Sequence, residues 1–213
     1  YINAALEGGA AGCFTQRERE SYLPGKFYIK VDSTQRALRD LAKYYKKKFP
    51  IPVVALTGSV GKTTTKDMVA AVLGEKYRVL KTEGNLNNEI GVPMTLLRLS
   101  GEHEIAVLEL GMNHAGEIDY LSALVEPDVV LMTNIGDSHI EHFGSREKIL
   151  EAKSEIFHHV KSGAFFLVHR MYSQRHQTCS VTHFAKSVHG KIYDLHQSDK
   201  PAVFKQTDKG DIF

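Results

Sequence analysis

The chain has 213 residues, 42% hydrophobic and 24% charged, with a formal net charge of +2; this is an ordinary globular composition and offers no basic stripe for nucleic acid. The nearest approach to one, Lys46-Lys47-Lys48, reads as the charged end of a helix. No apolar run nears the roughly 18 residues of a membrane span, no signal peptide is visible, and Cys13 and Cys179 belong to no CxxC pattern, so a reduced, cytoplasmic setting is expected.

The opening run, YINAALEGGAAGCF, starts as though already inside a helix and has no initiating methionine, and the final KQTDKGDIF brings no closing element. A piece of a longer protein is therefore expected. Over 34–49, Leu38, Leu41, Ala42 and Tyr45 recur at helical spacing, and Pro50 and Pro52 end the helix. Apolar runs and helical stretches then alternate. Residues 53–57 read as a buried strand and 62–73 as a helix. YRVLKT is a short strand, EIAVLELG a strand, GEIDYLSALV a helix, DVVLMTNIG a strand, SREKILEAKSEIFHHV a helix and GAFFLV a strand. The alternation predicts an α/β fold, a parallel sheet with helices on both faces. Ligands of such sheets bind beyond the carboxyl ends of the strands. Three polar clusters fall there, at 58–65, 109–114 and 134–139.

Beyond Val168 the pattern weakens. VTHFAK and PAVFKQ are candidate strands in an otherwise polar, histidine-rich stretch. His169, His176 and His183 lie seven apart, as do His189 and His196. That spacing matches no metal-ligand pattern, so scattered surface histidines are preferred to a metal tract.

The segment with the most chemistry is VVALTGSVGKTTTKDMV. A strand that ends in a glycine loop and opens a helix is an anion site, because loop amides and the helix N-terminus point at the ligand. Thr57, Gly58, Ser59, Val60, Gly61, Lys62, Thr63 and Thr64 make that loop. Lys62 is expected to bridge terminal phosphate oxygens of ATP, and the Thr63 hydroxyl to reach Mg²⁺. The usual phosphate loop has a glycine where this chain has Leu56, so the motif is a shorter variant, T-G-x-x-G-K-T-T. The alternative is a glycine turn before an amphipathic helix. Glu109 at a strand end suits Mg²⁺, or is a surface glutamate. His139 is a metal ligand or a loop histidine, and Lys153 a site lysine or a solvated one.

Taken together, TGSVGKTTTKD, TEGNLNNEIGVPMTLL, ELGMNHAGEI and NIGDSHIEHFGSREKILEAKSEIF resemble the Mur ligases, the ATP-dependent amide-forming enzymes of peptidoglycan synthesis. The similarity is dense from about residue 31 to 166. NLNNEIG and MNHAGEI match the member that joins D-Ala-D-Ala to UDP-N-acetylmuramoyl-tripeptide. The resemblance implies that ATP phosphorylates the substrate carboxylate to an acyl phosphate, which the amine then attacks. It implies that Thr63 and Glu109 hold one Mg²⁺ and His139 a second, and that Asn134 joins the ATP site. It also implies that Lys153 is carbamylated or turned away from the metal, with Lys62, His139 and Lys153 catalytic. Thr82, Asn85, Asn87 and Asn88 match the loop that faces the muramoyl-peptide; a turn rich in Asn and Gly is the competing reading.

By the same resemblance, 1–49 is the remnant of an N-terminal substrate domain with its linker helix, and 50–213 the central ATP-binding domain. Residues 168–213 are poorly assigned, since HRMYSQR stands where the family has an Asn followed by acidic residues. The family's C-terminal domain has no counterpart, so this chain alone is expected to be inactive in ligation. A monomer is expected. The competing functions are another ligase of the superfamily, such as a tripeptide synthetase or a folylpolyglutamate synthase, and an ATP-binding module that does not ligate.

Overall fold

The computed structural model describes residues 1–19 and 21–168, and the backbone of 191–194. The candidate strands VTHFAK and PAVFKQ and the five histidines from His169 to His196 lie outside them. Among the described residues no helix is long and apolar enough to cross a membrane.

The chain opens with a small unit of helix α1 (Ile2–Glu7) and two parallel strands, β1 (Gly12–Thr15) and β2 (Phe27–Lys30). Helix α2 (Thr34–Lys46) follows, its first turn capped by Ser33, whose side chain accepts from the Arg36 N–H. The main sheet then begins with β3 (Val53–Thr57), α3 (Lys62–Gly74), β4 (Val79–Lys81), α4 (Gly91–Leu96) and β5 (Ile105–Glu109). It continues with α5 (Glu117–Val125), β6 (Val129–Met132), the short α6 (Ile140–Phe143) and α7 (Arg146–Ser154), a 3₁₀ turn (Glu155–Phe157), β7 (Phe165–Val168) and β8 (Lys191–Asp194). The order across the sheet is β4-β5-β3-β6-β7-β8, and every pairing is parallel. The expected α/β architecture is the one observed.

Parallel strands must be buried on both faces, and all five residues of β3 and of β5 are. Alternate residues serve opposite faces. Val53 and Ala55 join Ala106, Leu108, Val130, Met132 and Phe166 in the larger core, under α2, α4, α5 and α7. Val54, Leu56, Val107 and Leu131 face the other way and pack on Val69, Ala70 and Leu73 of α3. The chain runs from β3 outward to β4 and β5, then crosses to β6 on the other side. The carboxyl end of β3 is therefore a topological switch point, where a ligand crevice opens.

The helical start of the chain ends at Glu7; helices α4 and α6, with strands β1, β2 and β8, were not foreseen as separate elements. The expected 34–49 helix ends at Lys46. The lysines there cap a neighbouring helix rather than only their own. Lys43 Nζ donates to Ala123 O at 2.7 Å, and Lys46 Nζ donates to Val125 O. Both are carbonyls of the last turn of α5, where cations are favoured. Glu126 pairs with both amines. The other end of α5 is closed by Glu155, whose carboxylate accepts from the N–H groups of Gly116 and Asp119.

Lys46 is 6% exposed. Burial lowers its pKa to about 8, against the opposing pull of Glu126. The unfolded chain therefore holds a proton between about pH 8 and 10.5 that the folded chain has released, and stability gains with pH in that window. Wild type should become more stable relative to Lys46→Met from pH 8 to 10.5, by about 1 kcal/mol per pH unit at most. Urea unfolding at several pH values measures this, and a difference that stays flat would show an ordinary lysine.

Candidate active site

The phosphate loop leaves β3 at Thr57 and enters α3 at Lys62. Gly58 has φ +152°, and a Cβ there would lie 1.9 Å from Thr133 Oγ1. Only glycine allows this approach of the loop to the segment after β6. Gly61, at φ +80°, is the left-handed N-cap of α3. The first backbone bond of the helix runs from Thr65 N–H to Gly61 O at 2.9 Å. The N–H groups of Lys62, Thr63 and Thr64 are thus the ones a helix cannot satisfy within itself, and they suit an anion.

Residues 133–138 clasp the outer side of this loop. Ser59 N–H donates to Asn134 O at 2.9 Å, and Val60 N–H to Asn134 Oδ1 at 2.8 Å. Thr133 Oγ1 donates to Val60 O at 2.8 Å, Gly136 N–H to Ser59 Oγ at 2.9 Å, and Ser138 Oγ to Ser59 O at 3.3 Å. Asn134 is therefore at the loop, with its amide oxygen engaged by loop backbone.

Inside the loop two amines converge on one acceptor. Lys62 Nζ donates to Gly58 O at 2.9 Å and Lys153 Nζ to the same oxygen at 3.1 Å. Lys153 reaches it from α7 and is 2% exposed, so it is no solvated helix lysine. Burial, and then the charge of Lys62, push its pKa down to about 8. Burial also lowers that of Lys62, while the Glu109 carboxylate raises it.

Glu109 ends β5 and is 1% exposed, which removes the surface-glutamate reading. Its Oε2 accepts from Thr63 Oγ1 at 3.0 Å and its Oε1 from Asn87 Nδ2 at 2.8 Å. Its backbone N–H donates to Thr82 Oγ1 at 3.0 Å, and Thr82 is fully buried. Asn85 and Asn88 are exposed. Asn88 Oδ1 accepts from Ile90 and Gly91 N–H, at 3.1 and 2.9 Å, and so starts α4.

His139 caps α6 in a left-handed conformation, φ +66°. Its ring lies 6.5 Å from that of His142, which is 5.5 Å from that of His114. This grouping was not foreseen; it brings together a histidine of the loop after β5 and two at α6. Among the described residues, no group of three or more His, Cys, Asp or Glu side chains is placed to hold a metal ion. A cleft of about 610 Å³ lined by Phe14, Gln16, Arg17 and Arg19 lies on the N-terminal unit and includes no residue of the phosphate loop.

Comparison with known proteins shows the family. Residues 56–211 match the Mur ligase middle domain. The UDP-N-acetylmuramoyl-tripeptide–D-alanyl-D-alanine ligase of Bacillus subtilis is 41% identical over 208 residues, covering 96% of this chain and 46% of the relative. The Escherichia coli protein of that name is 45% identical over 157 residues, covering 74% and 34%. MurF from Acinetobacter baumannii superposes with a TM-score of 0.81 at 39% identity, covering 91% of this chain and 41% of that one. MurF from Thermotoga maritima, in complex with ADP, gives 0.76 at 32%, covering 93% and 44%. A folylpolyglutamate synthase from Mycobacterium tuberculosis shares the fold, with a TM-score of 0.56 at 15% identity. The chain spans less than half the length of these relatives. It belongs to the Mur ligase family.

Proposed function

We propose that this chain forms the ATP-binding part of a cytoplasmic ligase that joins D-Ala-D-Ala to UDP-N-acetylmuramoyl-tripeptide. The observation that carries the catalytic reading is the convergence of Lys62 and Lys153 on Gly58 O, beside the Thr63–Glu109 pair at the switch point. The substrate assignment is supported by the relatives, whose names specify that tripeptide and dipeptide. ATP is supported by the phosphate loop and by the ADP bound to the Thermotoga maritima protein.

The reaction divides into two displacements. A carboxylate oxygen of the tripeptide attacks the γ-phosphorus of ATP, ADP leaves, and an acyl phosphate results. The dipeptide amine then attacks the acyl carbon, loses a proton and expels phosphate. Both partners of the first step are anions, so the site must neutralise charge. Lys62 swings from Gly58 O to the terminal phosphate, and the N–H groups of Lys62, Thr63 and Thr64 hold the remaining oxygens. The hydroxyl of Thr63 and the carboxylate of Glu109 are hard oxygen donors of the kind that would hold Mg²⁺, and His139 would serve a second ion. Mg²⁺ supplies polarisation of the phosphoryl oxygens when bound. Asn134 fixes the loop, while Thr82, Asn85 and Asn88 belong to the segment facing the muramoyl-peptide.

Expressed from its complete reading frame, the protein should form UDP-muramoyl-pentapeptide from the tripeptide, D-Ala-D-Ala and ATP, with one ADP per product. Product with a single amino acid or a folate in place of those substrates would move it elsewhere in the superfamily. ATP hydrolysis indifferent to the tripeptide would favour a module that does not ligate.

Lys62→Ala should lose on the order of 3 kcal/mol of transition-state stabilisation, roughly a hundredfold or more in turnover. Circular dichroism should be unchanged. A folded variant that turns over like wild type would overturn the phosphate-loop reading.

We further propose that Lys153 works as a carbamate. Its lowered pKa leaves a useful fraction of neutral amine near pH 8, and the neutral amine is the form that adds CO₂, releasing a proton. Lys153→Ala should be inactive and partly rescued by acetate, because the missing group is an anion. Lys153→Arg should be inactive without rescue; an active arginine variant would show that no carbamate is needed.

A further inference from the structure

The loop between β4 and α4 touches Glu109 at two points. Thr82 Oγ1 accepts the Glu109 backbone N–H, and Asn87 Nδ2 donates to Glu109 Oε1 at 2.8 Å. Thr63 takes the other oxygen at 3.0 Å. Each oxygen of this buried carboxylate therefore has a donor of its own, which fixes the rotation of the group about its last bond.

Asn87 is itself held. Its carbonyl accepts from Gly111 N–H at 2.7 Å, and its N–H donates to Asn85 O at 2.7 Å. A Cβ on Gly111 would lie 2.8 Å from both Cγ and Oδ1 of Asn87, so the amide fits only because residue 111 has no side chain.

From this geometry we infer that Asn87 is a positioning residue for the cation's carboxylate, and not only part of the surface that meets the peptide substrate. It keeps Oε2 of Glu109 turned toward Thr63 by occupying Oε1. The inference rests on the reading of Glu109 as a cation ligand. Removing the amide leaves Oε1 buried without its donor and lets the carboxylate turn. Loss of a hydrogen bond of this kind behind a metal ligand typically lowers metal affinity 10–100-fold.

The test is Mn²⁺ uptake by this chain with a non-hydrolysable ATP analogue, read from the electron paramagnetic resonance of free Mn²⁺. Asn87→Leu removes the donor at similar volume, and Gly111→Ala displaces the amide while leaving Glu109 untouched. Each should weaken Mn²⁺ binding about tenfold or more, with analogue affinity in the absence of divalent ion unchanged. Asn87→Gln should lose less than Asn87→Leu. If Asn87→Leu does not fold, Gly111→Ala and Asn87→Gln carry the comparison. Wild-type Mn²⁺ affinity in folded variants would overturn the inference. Wild-type protein that takes up no Mn²⁺ with the analogue would instead overturn the reading of Glu109 on which the inference stands.

Discussion

The site depends on the absence of one carbon atom. At Gly58 the backbone passes so close to Thr133 that no side chain can stand between them. That approach brings the carbonyl of Gly58 under the amines of both Lys62 and Lys153. One amine belongs to the loop itself, the other to a helix 95 residues further on. Without the contact at Gly58 the two cations would not share an oxygen, and the charge of Lys62 would not bear on Lys153.

The second requirement is rigidity. A loop that wraps phosphate must hold its amides in place before the ligand arrives, or reorganisation consumes the electrostatic gain. The hydrogen bonds between residues 133–138 and the loop supply this, using backbone and small polar side chains. Burial does the complementary work. Glu109 and Lys153 are almost wholly removed from water, so each is strongly felt by its neighbours.

Much of this was legible from sequence, for identifiable reasons. The strands were visible because parallel strands buried on both faces read as continuous apolar runs, and β3 was placed residue for residue. The loop was visible because phosphate binding needs glycine, lysine and a hydroxyl in fixed order. The short α4 and α6 were not visible, since neither has the length to display a period. Helix α4 starts on a capping contact from Asn88, a residue that the resemblance assigned to the substrate. The resemblance set Asn134 at the ATP site, but the turn of its amide oxygen onto the Val60 N–H is a matter of packing that residue order does not show. The meeting of His114, His139 and His142 and the burial of Lys46 are products of tertiary packing, and residue order carries no trace of either.

Helix α5 has nine residues, too few to be stable in isolation. Its own Glu126 closes the last turn in a left-handed conformation, but both ends are completed by other elements. Its amino end rests on Glu155, and its carboxyl end on lysines of α2. Because contacts from α2 and from the turn that carries Glu155 complete its two ends, these three elements stabilise one another. Helix α2 is tied as well to the small N-terminal unit, where Thr34 Oγ1 donates to Gln16 Oε1 at 3.0 Å, so it couples that unit to the nucleotide-binding sheet, although the prolines at 50 and 52 mark the more conspicuous break in the chain.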